Sequence, residues 1–154
     1  KYPTMSWSLF LIHHLNIKHT MATVQAHIST ANYQVNITTP TGHTLLADEP
    51  IDLGGTDAGF TPTELLASSL AACTSITLRM YANRKGWDLQ QVHVDITLEA
   101  INASTPTSNF NRAITLTGSL DEQQRDRLLA VANACPVHKI LTNTIVIHTT
   151  LQAG

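Results

Sequence analysis

Two cysteines, Cys73 and Cys135, are the residues of this chain best suited to covalent chemistry. Cys73 sits in the middle of TPTELLASSLAACTSITLRMYANRKG, Thr61 to Gly86, and Cys135 opens the short phrase CPVHKIL. Two thiols are too few for a secreted disulfide scaffold. They leave four readings: inert core thiols, a structural bridge, half of a metal site, or a redox couple. Zinc would need two further ligands, and Glu64 and His138 could complete such a set only without the close-spaced pair usual in zinc sites. The redox reading is the one in which both cysteine phrases have a purpose. Cys135 is placed to N-cap a helix that starts at Pro136, where backbone N–H groups and the helix dipole favour a thiolate. His138 and Lys139 add positive charge nearby. Cys73, in mid-helix with no cation beside it, reads locally as a small apolar core residue. Local electrostatics therefore prefers Cys135 as the thiolate.

The elements that must position these thiols follow from periodicity and punctuation. Thr61 is a good N-cap, Pro62 fits the first helical position, and Glu64 stands three residues after the cap, which together predict a capping box. Asn83-Arg-Lys-Gly86 ends the helix with two cations and a glycine C-cap. Leu66, Leu70, Cys73, Thr77 and Met80 recur at three- and four-residue spacing, widened by Leu65 and Ile76. That pattern predicts a central, mostly buried helix. Before it, Val24–Ser29, Tyr33–Thr38 and Thr44–Ala47 read as a three-stranded antiparallel meander. Asp48 to Phe60, with three glycines and four carboxylates, reads as a loop. It lacks the lysine of a phosphate-binding loop and the spacing of a dinucleotide site. After the helix, Gln91–Ala100 alternates cleanly, and Phe110–Thr117 is its hairpin partner across a polar connection. Ser119 or Asp121 caps a second helix running to about Ala134. Pro136 to Leu141 forms a third, and Asn143–Leu151 is expected to close the chain as a strand. The order βββ-α-ββ-αα-β is that of an α+β domain.

Composition narrows the function classes. The chain has 154 residues, 13% of them charged, with 9 Lys and Arg against 11 Asp and Glu for a net charge of −2. No basic field is present for nucleic acid. The apolar run Trp7–Ile12 is too short to span a membrane and lacks the flanks of a secretory signal. Lys1–Thr20 reads as an N-terminal extension or cloning remnant, with His13, His14 and His19 as scattered candidate metal ligands. Residues 21–154 read as one domain, and the chain as cytoplasmic, with no nucleic acid or membrane partner.

The phrase from Gly54 to Tyr81 combines a glycine-rich loop, Thr-Pro, an acidic residue before Leu-Leu, and Ala-Ala-Cys eleven residues after Pro62. With the later ANACPVHK phrase and a terminal strand, it resembles the osmotically inducible and organic hydroperoxide resistance (OsmC/Ohr) family from about Met21 to Leu151. The resemblance implies antiparallel sheets around a long central helix in an intertwined homodimer. It implies a thiol peroxidase acting on small organic hydroperoxides without a metal or cofactor. Carried over by motif, Cys73 is the peroxidatic and Cys135 the resolving thiol, and an external dithiol such as a lipoylated protein resets the pair. The chain departs from the peroxidase pattern twice. The family's catalytic glutamate falls at Thr63, and Glu64, one residue later, is turned by about 100° on a helix. The family's arginine in the N-terminal strands has no counterpart between Met21 and Leu78, and His27 or His43 would be weaker substitutes. These departures keep open a second reading, a ligand-binding or redox-sensing module with little peroxidase activity.

Overall fold

In a computed structural model, residues 21–99 and 107–153 are described. Lys1–Thr20, with its three histidines, and the middle of the connection between the hairpin strands lie outside them. Strands β1 (Gln25–Ile28), β2 (Val35–Thr38) and β3 (Thr44–Ala47) form an antiparallel meander in that order. A 3-10 turn at Ile51–Leu53 lies in the loop that follows. Helix α1 (Pro62–Lys85) leads into the hairpin β4 (Gln91–Leu98) and β5 (Phe110–Thr117), then α2 (Glu122–Ala132) and α3 (Pro136–Leu141).

The local signals of the sequence are realised. The Thr61 hydroxyl accepts from the Glu64 N–H at 3.2 Å, and the Glu64 carboxylate accepts from the Thr61 N–H at 2.8 Å. These are the two halves of a capping box. Gly86 ends the helix in the left-handed region at φ 64°, its N–H directed to the last carbonyls. Asp121, rather than Ser119, caps α2 with the same reciprocal arrangement through Gln124. In the hairpin, Val92, Val94, Ile96 and Leu98 face inward with Phe110, Arg112, Ile114 and Leu116, while their neighbours face solvent.

The core is built from α1, α2 and the hairpin. Leu78, Ala82, Leu89, Leu128 and Ala132 are buried together, with Trp87, Val92, Ile114 and Leu116 packed around them. Two expectations are corrected here. First, the buried stripe of α1 is Leu70, Thr74, Leu78 and Ala82, not the face running through Leu66 and Met80. Leu66, Ile76 and Met80 are all exposed, Ile76 by 58%, so within one chain the helix is half-covered rather than mostly buried. Apolar residues surround the helix, and spacing alone left several phases open; the elements packed on it, β4, α2 and α3, select one. Its length and composition would also suit a membrane span, yet this stripe is engaged in the core. Second, Asn143–Leu151 forms no strand. Ile145, Val146 and Ile147 lie exposed. A strand exists only against a partner whose N–H and C=O groups it can meet, and among the described residues no strand pairs with this segment.

The glycine-rich loop after β3 is folded around a carboxylate of the chain itself. Asp48, 2% exposed, accepts from the N–H groups of Tyr33, Glu49, Thr56 and Ala58 and from the Thr56 hydroxyl. These bonds, the Thr56 hydroxyl foremost, hold its carboxyl well below the usual carboxylate range against the opposing effect of burial. Gly55 packs its α-carbon against the Glu49 carbonyl so closely that no side chain would fit. The loop's N–H groups are thus already engaged, those of Glu49, Thr56 and Ala58 by Asp48 and those of Gly54, Gly55 and Asp57 by backbone carbonyls.

Candidate active site

Helix α3 is what brings the two thiols together. Cys135 is its N-cap, with an extended backbone, and Pro136 occupies the first helical position, where a missing N–H costs nothing. The Cys135 sulfur accepts from the His138 N–H at 3.4 Å. The Val137 N–H, in the same first turn, donates to the Cys73 sulfur at 3.5 Å. One helix N-terminus therefore serves both sulfurs, and each feels its partial positive charge. Both cysteines are free thiols.

The two environments differ. Cys135 is fully buried, whereas Cys73 is partly exposed. Burial pushes the Cys73 thiol up from its ordinary value. The Val137 N–H pulls it down, the adjacent Cys135 adds to the rise, and the Thr77 hydroxyl lowers it slightly. The net direction is upward, so the described residues of one chain do not make Cys73 a ready thiolate.

A second set of contacts reaches Cys135 from the hairpin. Arg112, on the inward face of β5, donates to the Thr74 hydroxyl at 3.0 Å, to the Ala132 carbonyl at 3.2 Å and to the Asn133 side-chain carbonyl at 2.6 Å. The buried Thr74 hydroxyl lies 3.9 Å from the Cys135 sulfur. Arg112 also borders a cavity of about 490 Å³, between Leu70, Phe110, Leu141 and His138. Neither cysteine lines this cavity; its wall is mostly apolar, Arg112 is its cationic edge, and Leu70 in that wall lies one helical turn before Cys73.

Of the candidate residues, the fold unites Cys73, Cys135 and His138, the last through its backbone N–H. Glu64 stays in the capping box, exposed, its carboxyl lowered by the Thr61 N–H and hydroxyl. Nine residues of helix, about 13 Å, separate it from Cys73. His27 and His43 are exposed in the meander. Two residues that sequence reasoning passed over, Thr74 and Arg112, are part of the site. The signal for Arg112 was a cation in phase with Phe110, Ile114 and Leu116 on the apolar side of an alternating strand, where an unpaired charge is rarely found.

The same fold occurs in solved structures. An OsmC like protein from Mycoplasma pneumoniae superposes with a TM-score of 0.68 at 19% identity, covering 80% of this chain and 88% of that one. A Psychrobacter arcticus protein, with a proposed role in an osmotic stress induced and detoxification response, gives 0.66 at 25% identity over 78% and 88%. The organic hydroperoxide resistance protein OsmC of Legionella pneumophila gives 0.58 at 25% identity over 79% and 88%. Comparison with curated proteins finds no match. The family model described as OsmC-like protein matches residues 55–150, a span that begins in the Asp48 loop and includes both cysteine phrases. On that match and on the shared α+β architecture, this chain belongs to the OsmC-like protein family.

Proposed function

We propose that the protein is a thiol peroxidase that reduces organic hydroperoxides through Cys73 and Cys135. The observation that carries this reading is the placement of two free thiols, 62 positions apart in the chain, on the first-turn N–H groups of one helix. A structural cysteine needs no such second sulfur. Cys73 is the sulfur that solvent reaches, so it is the one a peroxide meets. Its thiolate attacks the peroxide oxygen, the O–O bond breaks, and an alcohol leaves after taking up a proton, with Cys73 left as a sulfenic acid. Cys135 then displaces water from that sulfur and closes a disulfide. An external dithiol restores both thiols by exchange.

The membership of an organic hydroperoxide resistance protein among the structural relatives supports the substrate class, and the apolar wall of the cavity between Leu70, Phe110 and Leu141 suits an organic substituent. The raised Cys73 thiol calls for activation beyond its described neighbours, and a homodimer is the source we favour. Leu66, Ile76 and Met80 on α1, Ile28 on β1 and the segment Ile145–Ile147 are exposed apolar side chains available to a second copy. The raised thiol together with the cavity also favours a second reading, a ligand-binding or redox-sensing module of the same fold with little turnover.

Peroxide titration with mass spectrometry on the reduced protein separates these. Cumene hydroperoxide converts wild type to the Cys73–Cys135 disulfide and converts Cys135→Ser to a sulfenic or over-oxidised Cys73. Cys73→Ser lowers dithiothreitol-supported turnover on the order of 10³-fold or more. Over-oxidation at Cys135 in Cys73→Ser, with Cys73 inert in the reciprocal variant, would reverse the roles. No consumption of peroxide by wild type would sink the peroxidase reading in favour of the binding module.

A further inference from the structure

We propose that Arg112, acting through the Thr74 hydroxyl, makes Cys135 the sulfur that leaves when the Cys73–Cys135 disulfide is reduced, so that the incoming thiol attacks Cys73. The inference rests on the disulfide cycle above and adds its direction.

A guanidinium has donors only. In the 3.0 Å contact between Arg112 and Thr74 the hydroxyl is therefore the acceptor, and its own proton remains to be given elsewhere. The Cys135 sulfur, 3.9 Å away, is its neighbour in a fully buried setting. The fork of Arg112 is fixed by two further acceptors, the Ala132 carbonyl and the Asn133 side chain, both at the end of α2 just before Cys135. The cation is thus held rigidly toward the α3 N-terminus. A negative charge arriving on the Cys135 sulfur meets the Thr74 hydroxyl, the His138 N–H and the fixed guanidinium behind them. The Cys73 sulfur has the Val137 N–H and the Thr77 hydroxyl, but among the described residues no guanidinium bonds to that hydroxyl as Arg112 does to Thr74. Cys73 is also the more exposed of the two. Access selects attack at Cys73, and the guanidinium held behind Thr74 is what sets Cys135 apart, offsetting the greater desolvation of its buried sulfur.

The step balances as follows. One thiolate of an external dithiol bonds to the Cys73 sulfur, the protein S–S bond breaks, and its electron pair goes to Cys135. The second thiolate of the dithiol then attacks its own mixed-disulfide sulfur and expels Cys73 as a thiolate. The protein disulfide is reduced and the dithiol is oxidised to a cyclic disulfide. Exchange is faster when the leaving thiolate is the better stabilised one. Arg112 and Thr74 are positioning residues in this scheme, since neither bonds to the attacking thiol.

The test forms the disulfide with diamide, which needs no peroxidase activity, in wild type, Arg112→Gln, Thr74→Val and Thr74→Ser. A brief glutathione pulse is quenched with acid and the adduct is located by peptide mass mapping, while the rate of reduction by dithiothreitol is followed in parallel. Wild type carries glutathione on Cys73. Arg112→Gln and Thr74→Val are reduced about ten-fold more slowly, as expected for loss of a hydrogen bond to a charged group, and distribute the adduct over both sulfurs. Thr74→Ser restores both the rate and the adduct position, which a role in packing alone would not do. If Arg112→Gln fails to fold, Thr74→Val, a methyl for a hydroxyl, carries the test. An adduct on Cys135 in wild type, or an unchanged distribution in Thr74→Val, overturns the inference. A disulfide formed by diamide but not by cumene hydroperoxide overturns the peroxidase reading alone, and a protein in which diamide forms no disulfide overturns both.

Discussion

The loop around Asp48 and the first turn of α3 solve the same problem with opposite results. Each directs backbone N–H groups at an acidic side chain withdrawn from water. Asp48 collects four N–H groups and a hydroxyl, and its carboxyl is held far into the ionised range. Cys73 collects one N–H and the Thr77 hydroxyl, and its thiol is pushed the other way by burial. The number of donors set against desolvation decides the charge state. A carboxylate held so firmly can only organise structure. A thiol left short of donors can change its charge and partner, which a redox centre requires.

Three measurements bear on that contrast. The largest expected effect is the reference, Leu128→Ala, in the core of α1, α2 and the hairpin. Removing that fully buried side chain costs about 2–5 kcal/mol, measured by urea denaturation, with no selective effect on either site. Next is Asp48→Asn, which removes the charge all five donors are arranged to meet. It lowers Tm by several degrees in thermal melts at neutral pH. Because the folded carboxyl lies below its unfolded value, its contribution is complete above about pH 4 and is lost as the pH falls from there toward the folded value. Wild type therefore destabilises on acidification through that window, and Asp48→Asn does so less steeply. An equal acid response in both would break the comparison on the Asp48 side. The smallest effect is kinetic. In Cys135→Ser, alkylation of Cys73 by iodoacetamide still accelerates as the pH rises past the ordinary thiol value of about 8.5. A plateau well below that value would show that a second copy brings a cation to Cys73, and dilution of the protein would then abolish the plateau.

What the sequence made legible was the part written in local rules. Thr61, Glu64 and Gly86 bound α1 correctly because caps depend on a few neighbouring residues. The alternation of Gln91–Leu98 and the proline after Cys135 were legible for the same reason. The family phrase located both thiols. The buried stripe of α1 was misread because a helix apolar on most sides has no unique periodic face, and its phase is set by α2, α3 and β4. The terminal strand was expected from composition, but a strand is a property of a pair. Thr74 and Arg112 were passed over because the hydroxyl lies next to a more conspicuous cysteine, and the arginine's partners stand twenty and more positions away in the chain.

The stripe Leu70–Ala82 has a consequence for the order in which the protein can form. Leu78 precedes Leu128 by fifty residues, and the hairpin and α2 that cover it are made after it. While the chain is being synthesised, α1 emerges as a long apolar rod whose cover does not yet exist. Its folding must wait for the C-terminal half, during which exposed apolar surface invites aggregation. A chain halted after the hairpin would lack α2 and, with α3, the site's second sulfur. The thiol pair therefore comes together only once that covering half of the chain has been made.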